Sequence, residues 1–200
     1  MSRWADAAGD MDGDRYAKHF DDLAASGKDM HGEARLCADL VPPGSLVLDA
    51  GCGTGRIAIW LDEHGYDCAG IDLDASMLSV ARRRAPDVPW MLGDLAALQL
   101  PALGVFDLVV AAGNVIPLLA SGTEQTVVAN LATALKPGGL LVAGFGLDSE
   151  HLPLDEAPVT LSDYDEWCES AGLNLEKRFA TWNGDPYDGG GYAVSVHRLA

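Results

Sequence analysis

Two hydrophobic periods alternate along the chain. Tyr16, Phe20 and Leu23 share one face of a short helix, which Gly27-Lys28-Asp29 breaks. Leu36, Cys37, Leu40 and Val41 mark a second helix from about Gly32 to Leu40, stopped by Pro42-Pro43-Gly44. From there, short apolar runs take turns with helical patterns. Leu46 to Leu48 read as the end of a buried strand. Ile57, Ala58 and Leu61 fall at helical spacing, in a helix that Gly65 closes. Cys68 to Ile71 form a second strand ending in Asp72, and a helix follows from about Ala75 to Ala85 with Met77, Leu78 and Ala81 inward. Pro86 closes that helix. Trp90-Met91-Leu92 make a third strand, ending at Gly93-Asp94. Phe106 to Ala112 are apolar throughout, which suits a strand covered on both faces. Thr123 to Leu135 carry Val127, Val128, Leu131 and Leu135 at helical spacing, Lys136-Pro137-Gly138-Gly139 make a turn, and Leu140 to Phe145 form a fifth strand.

The last quarter changes style. A helix starts near Ser162-Asp163-Tyr164-Asp165 and ends at Gly172. Leu173 to Trp182 and Tyr192 to Leu199 are strands joined by the loop Asn183 to Gly190. With no helix between them they form an antiparallel hairpin. Strands alternating with helices, closed by a hairpin, predict an α/β fold: a mostly parallel sheet with helices on both faces. Residues up to about Asp14, rich in Asp, Gly and Ala, are expected to fray. Two hundred residues without repeat or linker make one domain with a sizeable core.

Charge narrows the partners. A net charge of −17 disfavours a nucleic-acid substrate, since phosphates need a basic footprint. The basic run Arg82-Arg83-Arg84 sits late in a helix, where cations suit the dipole. The four cysteines, Cys37, Cys52, Cys68 and Cys168, form no C-x-x-C pair, so no metal is expected. Cys37 and Cys68 lie in apolar patterns and read as small core residues. The opening Met1-Ser2-Arg3-Trp4-Ala5-Asp6 has no apolar core, and no run is long enough to span a bilayer; a cytoplasmic location with no membrane partner is the expectation.

The chemistry concentrates in Val47-Leu48-Asp49-Ala50-Gly51-Cys52-Gly53-Thr54-Gly55-Arg56. Glycines at alternate positions permit positive φ and let a ligand approach the backbone. The next helix points its first N–H groups at the same spot. A strand, a glycine turn and a helix start make a small-molecule site at the carboxyl edge of an open sheet. The spacing G-x-G-x-G differs from the dinucleotide G-x-G-x-x-G, and Thr54-Gly55-Arg56 is not the G-K-[ST] of a P-loop. Asp49 would repel phosphate and attract an ammonium or sulfonium group. Asp49, Asp72 and Asp94 end three successive strands, 23 and 22 residues apart, so they line one crevice. Carboxylates there can accept ribose hydroxyls and an adenine amine. Any one of them also reads as a cap of the next helix.

These residues resemble motif I of the class I S-adenosylmethionine (SAM) dependent methyltransferases. Further resemblances are Gly70-Ile71-Asp72-Leu73-Asp74-Ala75-Ser76-Met77-Leu78, Gly93-Asp94-Leu95 and Leu135-Lys136-Pro137-Gly138-Gly139-Leu140. The resemblance implies a Rossmann-like doubly wound sheet of seven strands, order 3-2-1-4-5-7-6, with strand seven antiparallel. It implies a helical lid over residues 1–43, a SAM-binding core over 44–146, and a terminal helix and hairpin over 147–200. It implies SAM as cofactor, with the Gly51 to Gly55 turn on the methionyl part, Asp72 on the ribose, Leu73 flanking the adenine, and Asp94 with Leu95 on its amine edge. The implied binding set is Asp49, Ala50, Gly51, Gly53, Gly55, Asp72, Leu73, Met77, Asp94, Leu95 and Asn114.

After the fourth strand stands Gly113-Asn114-Val115-Ile116-Pro117 in place of the N-P-P-Y of adenine and glutamine-amide methylation, and no Pro-Cys pair is there for C5-cytosine chemistry. A small-molecule methyl acceptor is therefore expected. Asp148, Glu150 and His151 read as a candidate base or as a solvated loop, and His31 as a helix start or part of the lid; no catalytic residue is assigned. The alternatives are an NAD-type oxidoreductase, which lacks its third glycine and a basic residue for the pyrophosphate, and a SAM-binding regulatory domain without catalysis.

Overall fold

The computed structural model describes residues 2–9, 11–98, 100 and 105–200. Three helices lead: α1 (Arg3–Ala8), α2 (Gly13–Ala25) and α3 (Gly32–Leu40). The core follows as β1 (Leu46–Ala50), α4 (Arg56–Glu63), β2 (Asp67–Asp72), α5 (Ala75–Arg84), β3 (Trp90–Leu92), a 3-10 turn (Leu95–Ala97), β4 (Phe106–Ala111), α6 (Glu124–Ala134) and β5 (Leu135–Gly146). It closes with α7 (Leu161–Ser170), β6 (Leu173–Phe179) and β7 (Tyr192–Leu199). The sheet runs β3-β2-β1-β4-β5-β7-β6. β1 pairs in parallel with β2 and β4, β4 with β5, and β7 lies antiparallel between β5 and β6.

Strand alternation splits the core into two layers. Leu48 and Ala50 of β1, Val109 and Ala111 of β4, and Leu141, Ala143 and Phe145 of β5 pack toward α6 and α7. Val47, Leu108, Val110 and Val142 pack toward α3, α4 and α5, where Cys37 and Cys68 are also buried. Asp49 is in phase with Val47, so its carboxylate goes to the α4 side.

Four sequence expectations change. The N-terminal segment is helical where fraying was expected, although Met1 and Asp10 lie outside the described residues. Tertiary contacts order it. The Ser2 hydroxyl accepts from the Ala5 N–H, the Trp4 N–H donates to the Leu118 carbonyl at 3.0 Å, and Arg3 pairs with Glu124 at 2.8 Å. Lys136 to Gly139 form an outward excursion within β5: Phe106 pairs with Leu135 and Leu108 with Leu140. The last helix begins earlier, because Thr160 and Asp163 exchange bonds in a capping box. The basic run does more than suit a dipole. Arg83 pairs with Asp14 and Arg84 with Asp21, stapling α5 to α2.

Candidate functional site

A cavity of about 390 Å³ opens at the carboxyl edge of β1, β2 and β4. Its floor is the turn between β1 and α4. Gly51 (φ 76°) donates its N–H to the Ile71 carbonyl at 2.8 Å, and a Cβ there would lie 2.5 Å from a Val115 methyl. Gly55 (φ 82°) takes the N-cap position of α4, where a Cβ would meet the Trp90 ring at 2.5 Å. Both positions therefore need glycine on conformational and on spatial grounds.

Three carboxylates meet this cavity in different states. Asp72, 9% exposed, accepts the Gly53 N–H at 2.8 Å on one oxygen and the Asp74 N–H at 2.8 Å on the other. A carboxylate offers about four acceptor positions, so capacity remains for a ligand. Burial pushes its carboxyl up, and these backbone donors pull it back. Asp72 is not the cap of α5: Asp74 accepts the Ser76 and Met77 N–H groups. Asp49, 2% exposed, accepts the Ala58 N–H at 3.3 Å as its one hydrogen bond among the described residues. Burial raises its carboxyl to about 7, and the Ala58 N–H and the charge of Arg56 only partly offset this. Asp94 is exposed, and its Oδ1 caps the 3-10 turn through the Ala96 N–H at 2.9 Å. The cap reading holds for Asp94, and its other oxygen stays available.

Of the expected binding set, Asp49, Gly51, Gly53, Asp72, Leu73, Met77, Asp94 and Leu95 line this one cavity. Ala50 and Gly55 do not: Ala50 is wholly buried in the layer toward α6, and Gly55 backs onto Trp90. Asn114 is also absent from that lining. Its Oδ1 accepts the Gly146 N–H at 2.7 Å and its Nδ2 donates to the His151 carbonyl at 3.0 Å. The amide thus ties the loop after β4 to the end of β5 and the loop beyond it. Asp148 and His151 bond each other at 2.7 Å and lie outside the cavity lining, as do Glu150 and His31.

The resemblance implied a lid over residues 1–43 without naming the side chains that face the cavity. Trp4 of α1 and Tyr16 of α2 line the cavity opposite the turn, with Val115, Leu118 and Leu119 beside them. An aromatic residue inside an otherwise polar N-terminus was the available signal. Arg56 also lines the cavity, and Glu33 answers its charge through bonds of 2.7 and 3.0 Å while its guanidinium stacks over Phe20 at 5.1 Å.

The donors and shape can be compared with SAM. Its positive sulfonium and ammonium groups suit a cavity whose described lining holds three carboxylates and one cation already paired. The glycine floor leaves backbone open to a ligand, and Leu73, Met77 and Leu95 offer apolar contact for a base. The volume lies within the usual range for small-molecule sites. A pyrophosphate would meet acids without a free base.

Known proteins point the same way. A family model described as a methyltransferase domain matches residues 47–139. A crystal structure of a TehB-like SAM-dependent methyltransferase from Corynebacterium glutamicum is 36% identical, with a TM-score of 0.84 over 94% of this chain and 98% of that one. A demethylmenaquinone methyltransferase from Beutenbergia cavernae is 30% identical over 92% of this chain and 87% of its own. A dTDP-3-amino-3,4,6-trideoxy-alpha-D-glucopyranose N,N-dimethyltransferase from Streptomyces venezuelae is 36% identical over 58% of this chain, which spans about half of that relative's length.

Proposed function

The chain belongs to the SAM-dependent methyltransferases, and from this we propose that it moves a methyl group from SAM to a small-molecule acceptor. The observation that carries the reading is the meeting of Asp49, Asp72 and Asp94 in one cavity over the Gly51–Gly53 turn. Asp72 would accept the ribose hydroxyls, Asp49 would face the amino group, and Asp94 with Leu95 would meet the adenine edge. Bound there, SAM supplies an electrophilic methyl on a positive sulfur. The chain's own part is positioning and exclusion of water. Trp4, Tyr16, Leu118 and Leu119 cover the cavity from above, in keeping with residues 1–43 as the lid.

The acceptor is small and carries no phosphate in this reading. The net charge of −17 supports that, and so does Arg56, whose charge Glu33 already neutralises. Four unpaired cysteines support a reducing compartment, the cytoplasm.

Calorimetry tests the cofactor. The protein should bind SAM and S-adenosylhomocysteine and give no heat with NAD. Asp72→Ala should weaken S-adenosylhomocysteine by about tenfold or more, the cost of losing hydrogen bonds to a charged group. Tighter binding of NAD than of S-adenosylhomocysteine would overturn the reading. So would unchanged affinity in a folded Asp72→Ala protein.

A further inference from the structure

Tyr16 has a place that the cofactor-binding residues do not explain. Its ring is fixed from two sides, with Trp4 edge-on at 6.1 Å and Phe20 at 4.8 Å. It stands over the glycine turn: a Cβ at Gly53 would lie 3.9 Å from its Cε1. Gly53 is the residue whose N–H Asp72 holds. The phenol borders the cavity and has no hydrogen-bond partner among the described residues. The charges of Asp72 and Asp49 both reach it, as does that of Arg56, which Glu33 offsets. Burial holds the phenol above its ordinary range, so it stays neutral.

In the reading proposed above, Asp72 takes the ribose and Asp49 the amino group. The sulfur is the atom that joins those two parts of SAM. An aromatic face is electron-rich and attracts a cation, and a phenol oxygen adds lone pairs. A neutral thioether gains little from either. We propose that Tyr16 is a specificity-determining residue that favours the sulfonium of SAM over the thioether of S-adenosylhomocysteine. It thereby weakens the hold on the cofactor once the methyl, and with it the charge, has left. This rests on the methyltransferase reading.

The test compares the two ligands and needs no acceptor. SAM and S-adenosylhomocysteine are titrated by calorimetry into the wild type, Tyr16→Phe and Tyr16→Leu, with circular dichroism to confirm folding. Tyr16→Leu should weaken SAM by about three- to tenfold relative to S-adenosylhomocysteine, the span expected of a partly buried cation–π contact. Tyr16→Phe keeps the ring and should hold the wild-type ratio within about twofold, as most of such a contact lies in the ring face. Should Tyr16→Leu fail to fold, Tyr16→Met, with a flexible side chain that fills irregular gaps, takes its place. Equal loss of both ligands would make Tyr16 a packing residue and overturn the proposal, as would an unchanged ratio. A wild type that binds neither ligand would instead overturn the methyltransferase reading, and the role of Tyr16 with it.

Discussion

Asp49 carries the clearest single-residue consequence. Its carboxyl is raised from 3.8 to about 7 by burial. The folded state therefore keeps a proton there that the unfolded chain releases near pH 4. Between those values the native state binds more protons, so stability falls as pH rises. This contribution is fully present below about pH 4 and lost through pH 7, on the order of a few kcal/mol by the linkage between pKa and stability. Urea midpoints of the wild type and Asp49→Asn, taken from pH 4 to 8, should converge at low pH. Toward pH 7 the wild type should fall below the variant. Parallel curves would show that Asp49 has no raised carboxyl. A cationic ligand favours the ionised carboxylate, so SAM affinity should climb over the same interval. At this scale the sequence picked out the three acids correctly as neighbours. It gave no hint that one is buried and near neutral, one clamps the turn, and one caps a 3-10 turn. Those states depend on burial and on which N–H groups lie near, and residue spacing encodes neither.

Among the elements, α1 shows how far tertiary contact overrides local preference. Six residues are too few for a stable isolated helix. Arg3 nevertheless bonds the Pro117 and Leu119 carbonyls as well as Glu124, and so binds α1 to the loop after β4. Arg3→Ala strips Glu124, whose side chain is 8% exposed, of its partner. A buried acceptor left this way costs about 1–3 kcal/mol. Because Trp4 roofs the cavity on the same helix, the substitution should also speed S-adenosylhomocysteine dissociation severalfold in stopped-flow displacement. A rate within error of wild type would mean that α1 does not cover the ligand. Most strands and long helices, by contrast, were legible from the pattern, although β5 begins at Leu135 rather than Leu140 and β6 ends at Phe179 rather than Trp182. Gly32–Leu40 and Trp90–Leu92 stand as the apolar pattern places them, because that pattern is what drives their burial.

For the whole molecule, charge sets the choice of partners. At −17, with Arg82, Arg83 and Arg84 engaged by Trp90, Asp14 and Asp21, the described surface offers no basic stripe for phosphates. A gel-shift titration in physiological salt should show no specific retention of RNA or duplex DNA. A specific complex there would reverse the small-molecule assignment.

The sequence by itself determined the α/β class, the closing hairpin and the strand-end acids over a glycine turn, while the order 3-2-1-4-5-7-6 came from the family resemblance. These are local or nearest-neighbour properties: a period of apolar residues, a turn that only glycine fits, a hairpin too short to cross over. Tertiary structure alone decided which side chains roof the cavity and where the Asn114 amide points. Trp4 and Tyr16 reach the cavity because α1 docks on residues more than a hundred positions away and the arginines of α5 hold α2. Asn114 is a binding expectation in sequence, and the fold turns its amide to the backbone of Gly146 and His151. Contacts between distant segments form only once the sheet has brought them together, and no window of neighbouring residues contains them.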